Sequence, residues 1–278
     1  MLLSPEVLSA RNLKRVADVV YAHCGINLHE GKHELVHARL TKMLRHSRFG
    51  SLGELVDHVL ANQESDDFAE LIDALSTNLT SFFREADHFT YLARELLPDL
   101  LPRKRQRGES IIRGWSAACS SGEEPYTIAM VLGDVLEKDG GGMLGRILAT
   151  DISHRILQMA REGVYDRRRA DPVPPAYRHF LMPSPQRAHA VEPVREIRDM
   201  VRFAHLNLIE SWPFTGPLDF IFCRNVMIYF DKPTQQRLIE RFFDILSPGG
   251  VLFTGHSESL TGIAHRFRYV LPTIYLKA

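Results

Sequence analysis

Apolar residues recur at two different periods along the chain, and the change of period divides it. From Pro5 to Leu75 the spacing is helical. Pro5-Glu6-Val7-Leu8, then Leu13, Val16, Val19 and Val20, follow one face until Gly25-Ile26-Asn27, where a helix stop is expected. Between Leu35 and Arg48, Val36, Leu40, Met43 and Leu44 share a face, while Arg39, Lys42, Arg45 and His46 lie around the other. Leu52 to Leu60 and Phe68 to Leu75 add two further amphipathic helices, so residues 1–77 are predicted to form a small all-α bundle.

The stretch from Ile111 to Asp151 has a different grammar: a buried strand, a loop of small residues, a helix opening at Glu124-Pro125, the turn Gly140-Gly141-Gly142, and a second strand ending on Asp151. That is a strand-helix-strand crossover, the unit of parallel nucleotide-binding sheets. In Ser116 to Gly122 no side chain exceeds a thiol, so a ligand can approach the backbone and the amides of the helix start. Pro125 suits an early helical position. Asp151, at the end of the next strand, is placed to accept from ribose hydroxyls. A dinucleotide fold would show glycines at GxGxxG spacing, and this loop has only Gly122; an ordinary tight turn is the alternative reading of the stretch taken alone.

After Asp151 a helix is expected from Ser153 to Arg161, followed by a weakly patterned region, Asp166 to Pro193, and a candidate strand from Met200 to Leu208. Leu218 to Asn225 reads as a buried strand ending in polar groups, Asp231-Lys232-Pro233 opens a helix to Leu246, and Val251 to Thr254 is another strand. Tyr269 to Leu276 can supply the last sheet pairing. Ligands in such sheets sit beyond the carboxyl ends of the strands, which would bring Ser116–Gly122, Asp151 and Cys223–Asn225 to one crevice. Ahead of the crossover, STNLTSFFREADHFTYL sets Asn78 and Thr80 beside Phe82 and Phe83, with Arg84 able to meet a carboxylate. Arg103 to Gly108 is expected to be a basic exposed turn.

Composition narrows the function classes. The 278 residues suit about two domains, and 34 basic against 34 acidic residues leave no general affinity for nucleic acid or membrane. Between Arg11 and Arg48, however, eight Lys/Arg face three Asp/Glu, which makes the second helix a candidate docking face for an acidic partner as well as a plain solvated surface. Cys24, Cys119 and Cys223 are odd in number and widely spaced, against a disulfide framework or a zinc cluster, and no metal is expected. The start MLLSPEVLSARNLKR lacks the apolar core of a signal peptide and no later stretch is long and apolar enough to span a membrane, so a cytoplasmic protein without membrane insertion is expected.

Six strings, STNLTSFFRE, WSAACSSGEEPYTIA, ATDIS, NLIESWPF, LDFIFCRNVMIYFDK and SPGGVLFTGHSESL, occur in order through most of the chain. Together they resemble the chemotaxis receptor glutamate methyltransferases, the CheR family. The resemblance implies an α/β fold: a class I S-adenosylmethionine-dependent methyltransferase sheet of Rossmann-like build with a small antiparallel β subdomain inserted at about 180–206, preceded by an all-α N-terminal bundle. It implies a receptor-docking domain over 1–77, a linker over 78–92 that contributes to the donor site, and a methyltransferase domain over 93–278.

Carried onto this sequence, the resemblance assigns Asn78, Thr80 and Arg84 to the linker motif that closes over the methyl donor, and Glu123 and Asp151 to the acids that hold its amino-acid and nucleoside portions. It assigns Asn207-Leu208 to the adenine end and Arg224-Asn225, at the polar end of the fourth strand, likewise to the residues that bind the donor, with Tyr229 near the transferred methyl and Arg103 as the substrate-facing arginine in catalytic roles. S-adenosylmethionine is the implied cofactor, S-adenosylhomocysteine the product, and glutamates on chemoreceptor methylation helices the implied substrate of a monomeric enzyme. The implied chemistry is an in-line displacement by a carboxylate that is already ionised at pH 7, its reference pKa being about 4.3, so no general base is required. Alignment and desolvation are what the protein must provide.

Some members of the family bind a receptor C-terminal peptide through a glycine-containing loop of the inserted subdomain. The corresponding stretch here, Met182 to Pro193, has no glycine and carries Pro183, Pro185 and Pro193, which speaks against that tether and for direct recognition by Arg39, Lys42 and Arg45. Two other classes stay in view: a donor-binding adaptor without turnover, opposed by the presence of Arg224, Asn225 and Tyr229, and a methyltransferase for nucleic acid or a small molecule, opposed by the zero net charge.

Overall fold

The structure is a computed structural model and describes residues 8–28, 30–76 and 78–278. It divides into two compact units: residues up to Thr77 together with Tyr229–Thr234, and Asn78–Ile228 together with Gln235–Ala278.

The first unit is helical. Helix α1 (Ala10–Cys24) starts at Ser9, whose side chain accepts from the Asn12 N–H, and stops at Gly25 in a left-handed conformation, where the sequence pattern sets the stop. The apolar positions Pro5 to Val7 lie outside the described residues. Helices α2 (His33–Arg45), α3 (Leu52–Ala61) and α4 (Asp66–Leu75) follow, the last two capped by Ser51 and Ser65. Helix α2 buries Val36, Leu40, Met43 and Leu44 and leaves Lys42 and Arg45 exposed and Arg39 half-buried, as its periodicity requires.

In the second unit, α5 (Ala86–Tyr91) continues through a π-helical run, Leu92–Leu96, into α6 (Leu97–Gln106). The expected turn at Arg103 is therefore helical as far as Gln106, and Lys104 is buried between Glu109 at 2.7 Å and Asp219 at 3.0 Å. The crossover follows as β1 (Ile111–Ala117), α7 (Glu123–Asp139) and β2 (Leu144–Asp151), then α8 (His154–Glu162) with Ser153 as its cap. Strands β3 (Tyr165–Asp166), β4 (Leu181–Pro183) and β5 (Ala190–Pro193) make a separate antiparallel sheet in the order β3-β5-β4.

That small sheet corrects the expected insertion limits. It begins at Tyr165, while α9 (Arg195–Met200) leads into β6 (Val201–His205), which pairs in parallel with β2 and belongs to the main sheet. Strand β7 (Leu218–Cys223), α10 (Lys232–Ile245) and β8 (Leu246–Thr254) complete the parallel part, and the last pairing is a hairpin, β9 (Arg268–Leu271) with β10 (Ile274–Leu276). The order is β6-β2-β1-β7-β8-β10-β9, with only β10 running against its neighbours. The chain moves outward from β1 to one side through β2 and β6, then returns to start β7 on the other. The switch point thus lies between β1 and β7.

Both faces of this sheet are covered, which explains why every residue of β7 is buried. Trp115 of β1 lies fully buried against Phe242 of α10 and against Trp212, with ring centroids 5.5 and 4.7 Å away. On the other face Ile112 and Phe220 join Ile128, Met130 and Leu132 of α7 in the main core. Gly114 has no room for a side chain there: a Cβ would sit 2.1 Å from the Phe220 ring.

Candidate active site

Beyond the carboxyl end of β1 the chain must turn sharply to start α7, and it does so through left-handed residues at Ala118, Ser120 and Gly122. Alanine and serine are strained there, so surrounding bonds must hold the loop. Asp151 supplies two of them. Its Oδ2 accepts from the Ser120 N–H at 2.8 Å and its Oδ1 from the Ser153 N–H at 3.0 Å, while the Cys119 N–H donates to the Thr150 carbonyl at 2.8 Å. The loop of small residues and the acid after β2 are thereby one construction, at the switch point.

The linker joins it. Ser120 Oγ donates to the Asn78 carbonyl at 3.0 Å, Phe83 N–H donates to Thr127 Oγ1 at 3.2 Å, and Phe82 is fully buried with its ring 5.0 Å from that of Tyr165. Arg84 folds back on the linker, donating to the Leu79 carbonyl at 2.8 Å. Thr80 is half-buried.

Arg224, at the carboxyl end of β7, is a buried hub rather than a free arm. Its guanidinium donates to Glu85 Oε2 at 3.0 Å, to Glu124 Oε2 at 3.0 Å and to the Arg84 carbonyl. Ser116 Oγ donates to the other Glu124 oxygen at 2.7 Å. Burial opposes the charge of Glu85, but the charge and hydrogen bonds of Arg224 outweigh it and hold Glu85 below the usual carboxylate range. Glu124 is pushed up by burial, against the opposing pull of Arg224. Glu123 is also pushed up by burial, although Ser121 Oγ donates to it at 2.7 Å and Arg169 pairs with it. Arg169 comes from the turn after β3, so the inserted segment is tied to the loop of small residues and the start of α7; Tyr165 adds a bond to the Ser121 carbonyl at 2.8 Å.

The structure thus brings Asn78, Arg84, Glu123, Asp151, Arg224 and Asn225 to one end of the sheet. Asn207, just beyond β6, is buried and donates to Glu210 at 3.0 Å, with Leu208 buried next to it. Arg103 is not at this end. It lines a cavity of about 160 Å³ with Pro217, Asp219, Ser247 and Gly250, at the amino-terminal starts of β7 and β8, and pairs with Asp99 at 2.7 Å. The expectation that Arg103 faces the substrate is overturned by the helix that carries it. Tyr229 groups with the helical unit: its carbonyl accepts from the Asn27 N–H at 2.8 Å, and Lys32 Nζ lies 4.9 Å from its ring centre.

Sequence reasoning missed Glu85, Glu124, His88 and Glu258. The doubled acid in Gly122-Glu123-Glu124 was a usable signal, since adjacent helical residues point different ways and Glu124 is the one that meets Arg224. Glu85, His88 and His256 bring one ligand-type atom each within 4.8 Å of one another, but Glu85 is engaged by Arg224, whose charge opposes a cation there. Five carboxylates, Glu85, Glu123, Glu124, Asp151 and Glu258, stand against the guanidiniums of Arg84, Arg169 and Arg224. This formal excess of negative charge suits a ligand with a net positive charge.

A family model described as CheR methyltransferase, SAM binding domain, matches residues 78–276, and another described as CheR methyltransferase, all-alpha domain, matches residues 11–76. Chemotaxis protein methyltransferase 2 of Pseudomonas aeruginosa is 43% identical over 270 residues, which is 96% of this chain and 93% of that protein. The chemotaxis protein methyltransferase of Borreliella burgdorferi is 40% identical over 267 residues, 95% of this chain and 93% of its own length. That of Escherichia coli is 38% identical over 271 residues, covering 96% and 91%.

Proposed function

This chain belongs to the CheR methyltransferase family and is an S-adenosylmethionine-dependent methyltransferase, and from that premise we propose that it methylates glutamate side chains on the cytoplasmic helices of chemoreceptors, acting as a cytoplasmic monomer. The observation that carries the reading is the loop from Ser116 to Gly122, fixed to Asp151 at the switch point of the sheet, in surroundings with an excess of negative charge. When bound, S-adenosylmethionine would supply an electrophilic methyl, its S–C bond breaking as the O–C bond of the ester forms, with S-adenosylhomocysteine as the leaving group. The residues of the chain bind and orient. Asp151 accepts from the ribose hydroxyls, the linker residues Asn78, Thr80 and Arg84 cover the donor, Glu123 serves its amino-acid portion, and Asn207-Leu208 border the adenine.

Arg224 holds Glu85 and Glu124 in place, and Asn225 edges the acceptor side of the crevice. Tyr229, next after the turn, acts on the transition state more than on the bound donor. No proton need be removed from an ionised glutamate, so orientation and exclusion of water supply the acceleration, to which positioning contributes on the order of 7–11 kcal/mol. Arg39, Lys42 and Arg45 of α2 dock the acidic methylation helix. The stretch Met182–Pro193 lacks the glycine-containing loop of a peptide tether, so binding of a receptor C-terminal peptide is not part of this reading.

Incubation with methyl-labelled donor and receptor cytoplasmic fragments tests the proposal: base-labile label on receptor glutamates is expected. Label on another acceptor, or donor binding without transfer, would sink it. In the same preparation Asp151→Ala is expected to weaken donor binding by about 1.5–3 kcal/mol in calorimetry, the worth of hydrogen bonds to a charged acceptor.

A further inference from the structure

The string SPGGVLFTGHSESL enters none of the donor contacts above, yet its Gly255 and Glu258 meet the polar end of β7. Strands β7 and β8 are parallel neighbours, with Cys223 opposite Thr254, so the segments that leave their carboxyl ends run side by side. Glu258 is 6% exposed and points its carboxylate at backbone. Oε2 accepts from the Asn225 N–H at 2.6 Å and from the Gly255 N–H at 2.7 Å, and Oε1 accepts from the Ile228 N–H at 3.2 Å. Its own carbonyl accepts from Thr254 Oγ1 at 2.9 Å and its own N–H donates to the Gly255 carbonyl at 2.8 Å, so the acid is rigidly held.

The turn it holds needs holding. Asn225 is left-handed, at φ 61°, and no helix or strand ladder uses the N–H groups of Asn225 and Ile228. One carboxylate accepting at both ends of the turn fixes its length and direction. Gly255 makes this possible from the other side: a Cβ there would lie 2.5 Å from Asn225 Nδ2, 2.6 Å from Glu258 Oε2 and 2.9 Å from the Asn225 nitrogen.

We propose that Glu258, with Gly255 as the space it requires, is a positioning residue that clamps the Asn225–Ile228 turn in the geometry needed for methyl transfer. The proposal rests on the reading that this turn borders the acceptor side of the crevice. Glu258 itself touches neither donor nor acceptor. The clamp is separate from the Asp151 construction, so it sets turnover rather than donor affinity.

Two variants approach the clamp from opposite sides. Glu258→Gln keeps the shape but turns one acceptor into a donor facing backbone N–H groups, and Gly255→Ala leaves the carboxylate intact but forces it and Asn225 apart. Three quantities are read on each: amide hydrogen exchange of Asn225 and Ile228 without donor, donor affinity by calorimetry, and the turnover number with receptor fragments. In the parent these two amides, which lie outside any strand, are expected to exchange slowly. Both variants are expected to speed that exchange and to lower turnover by about 10- to 100-fold, the scale of a small misplacement of reacting groups. Donor affinity is expected to stay within about threefold, because Asp151 and its loop are untouched.

If Glu258→Gln does not fold, Gly255→Ala carries the test, and the parental exchange rates remain decisive. Fast exchange of both amides in the parent overturns the clamp. A folded variant with accelerated exchange but parental turnover overturns its role in positioning. Failure of the parent to label any receptor would instead strike the functional reading, while the exchange measurement still decides the clamp.

Discussion

His88 shows how a single residue in the Arg224 cluster is tuned by its neighbours. It is 1% exposed, and its Nε2 lies 2.7 Å from Thr273 Oγ1. Thr273 Oγ1 also lies 2.6 Å from the Pro272 carbonyl, and His88 Nδ1 lies 3.7 Å from Glu85 Oε2. Burial, then the charge of Arg224, push His88 down to about 3, against the upward pull of Glu85 and with a smaller push from His256. The unfolded chain takes up this proton below its ordinary value of about 6.5, and the folded protein does not until about 3. The neutral ring therefore contributes stability that is complete above about 6.5 and declines as pH falls through that window, by up to about 1.4 kcal/mol per pH unit. His88→Gln can still hydrogen-bond Thr273 and cannot take a proton. Between pH 6.5 and 5 its unfolding free energy is expected to fall by about 1.6 kcal/mol less than that of the parent in denaturant titrations. Parallel curves would refute the assignment. The raised acids Glu123, Glu124 and Glu258 act in the opposite direction in both proteins and cancel in the comparison.

At the level of elements, the crossover was legible because each signal in it has one physical cause: small residues where a loop must pass close, an acid where a strand ends, glycine where φ is positive. Gly122 tests the last of these. At φ 97° a side chain is strained, and a Cβ would lie 2.7 Å from the Tyr165 hydroxyl, which bonds the neighbouring Ser121 carbonyl. Gly122→Ala is expected to destabilise by about 2 kcal/mol, a fall in melting temperature of about 4–8 °C, and to weaken donor binding as the loop shifts. A variant that melts and binds like the parent would remove the loop geometry from the account. What was not legible follows from long-range contact. Arg103-Lys104-Arg105 looks like an exposed turn in one dimension, but Lys104 finds Asp219 115 positions further on and can be buried as part of a helix. Val201–His205 carries a weak alternation that suits either sheet, and only its pairing with Ile147–Asp151 decides for the main one. Arg224 and Asp151 were readable as polar groups at strand ends; that Arg224 spends itself on Glu85 and Glu124 was not, because neither partner is near it in sequence.

For the whole molecule, the residues proposed to bind the donor belong to the second unit, whereas the basic face of α2 proposed for docking belongs to the first, and among the described residues Arg39, Lys42 and Arg45 form no ion pair. With 34 basic and 34 acidic residues in total, an acidic helix is attracted by this local face and not by the molecule at large. The buried positions Val36, Leu40, Met43 and Leu44 hold α2 in the bundle on the other side, so Arg39→Glu/Lys42→Glu/Arg45→Glu is expected to fold with an unchanged helical signal. Exposed charges act over about 10 Å at 0.1 M salt, which ties the expected loss to ionic strength. At low salt and with receptor well below saturation, the triple variant is expected to methylate at least about tenfold more slowly than the parent, and raising salt is expected to slow the parent towards the variant while the variant barely responds. Donor affinity, read by calorimetry, is expected to be the same for both. A folded variant that methylates at the parental rate at low salt would remove α2 from recognition and return attention to the small sheet between Tyr165 and Pro193.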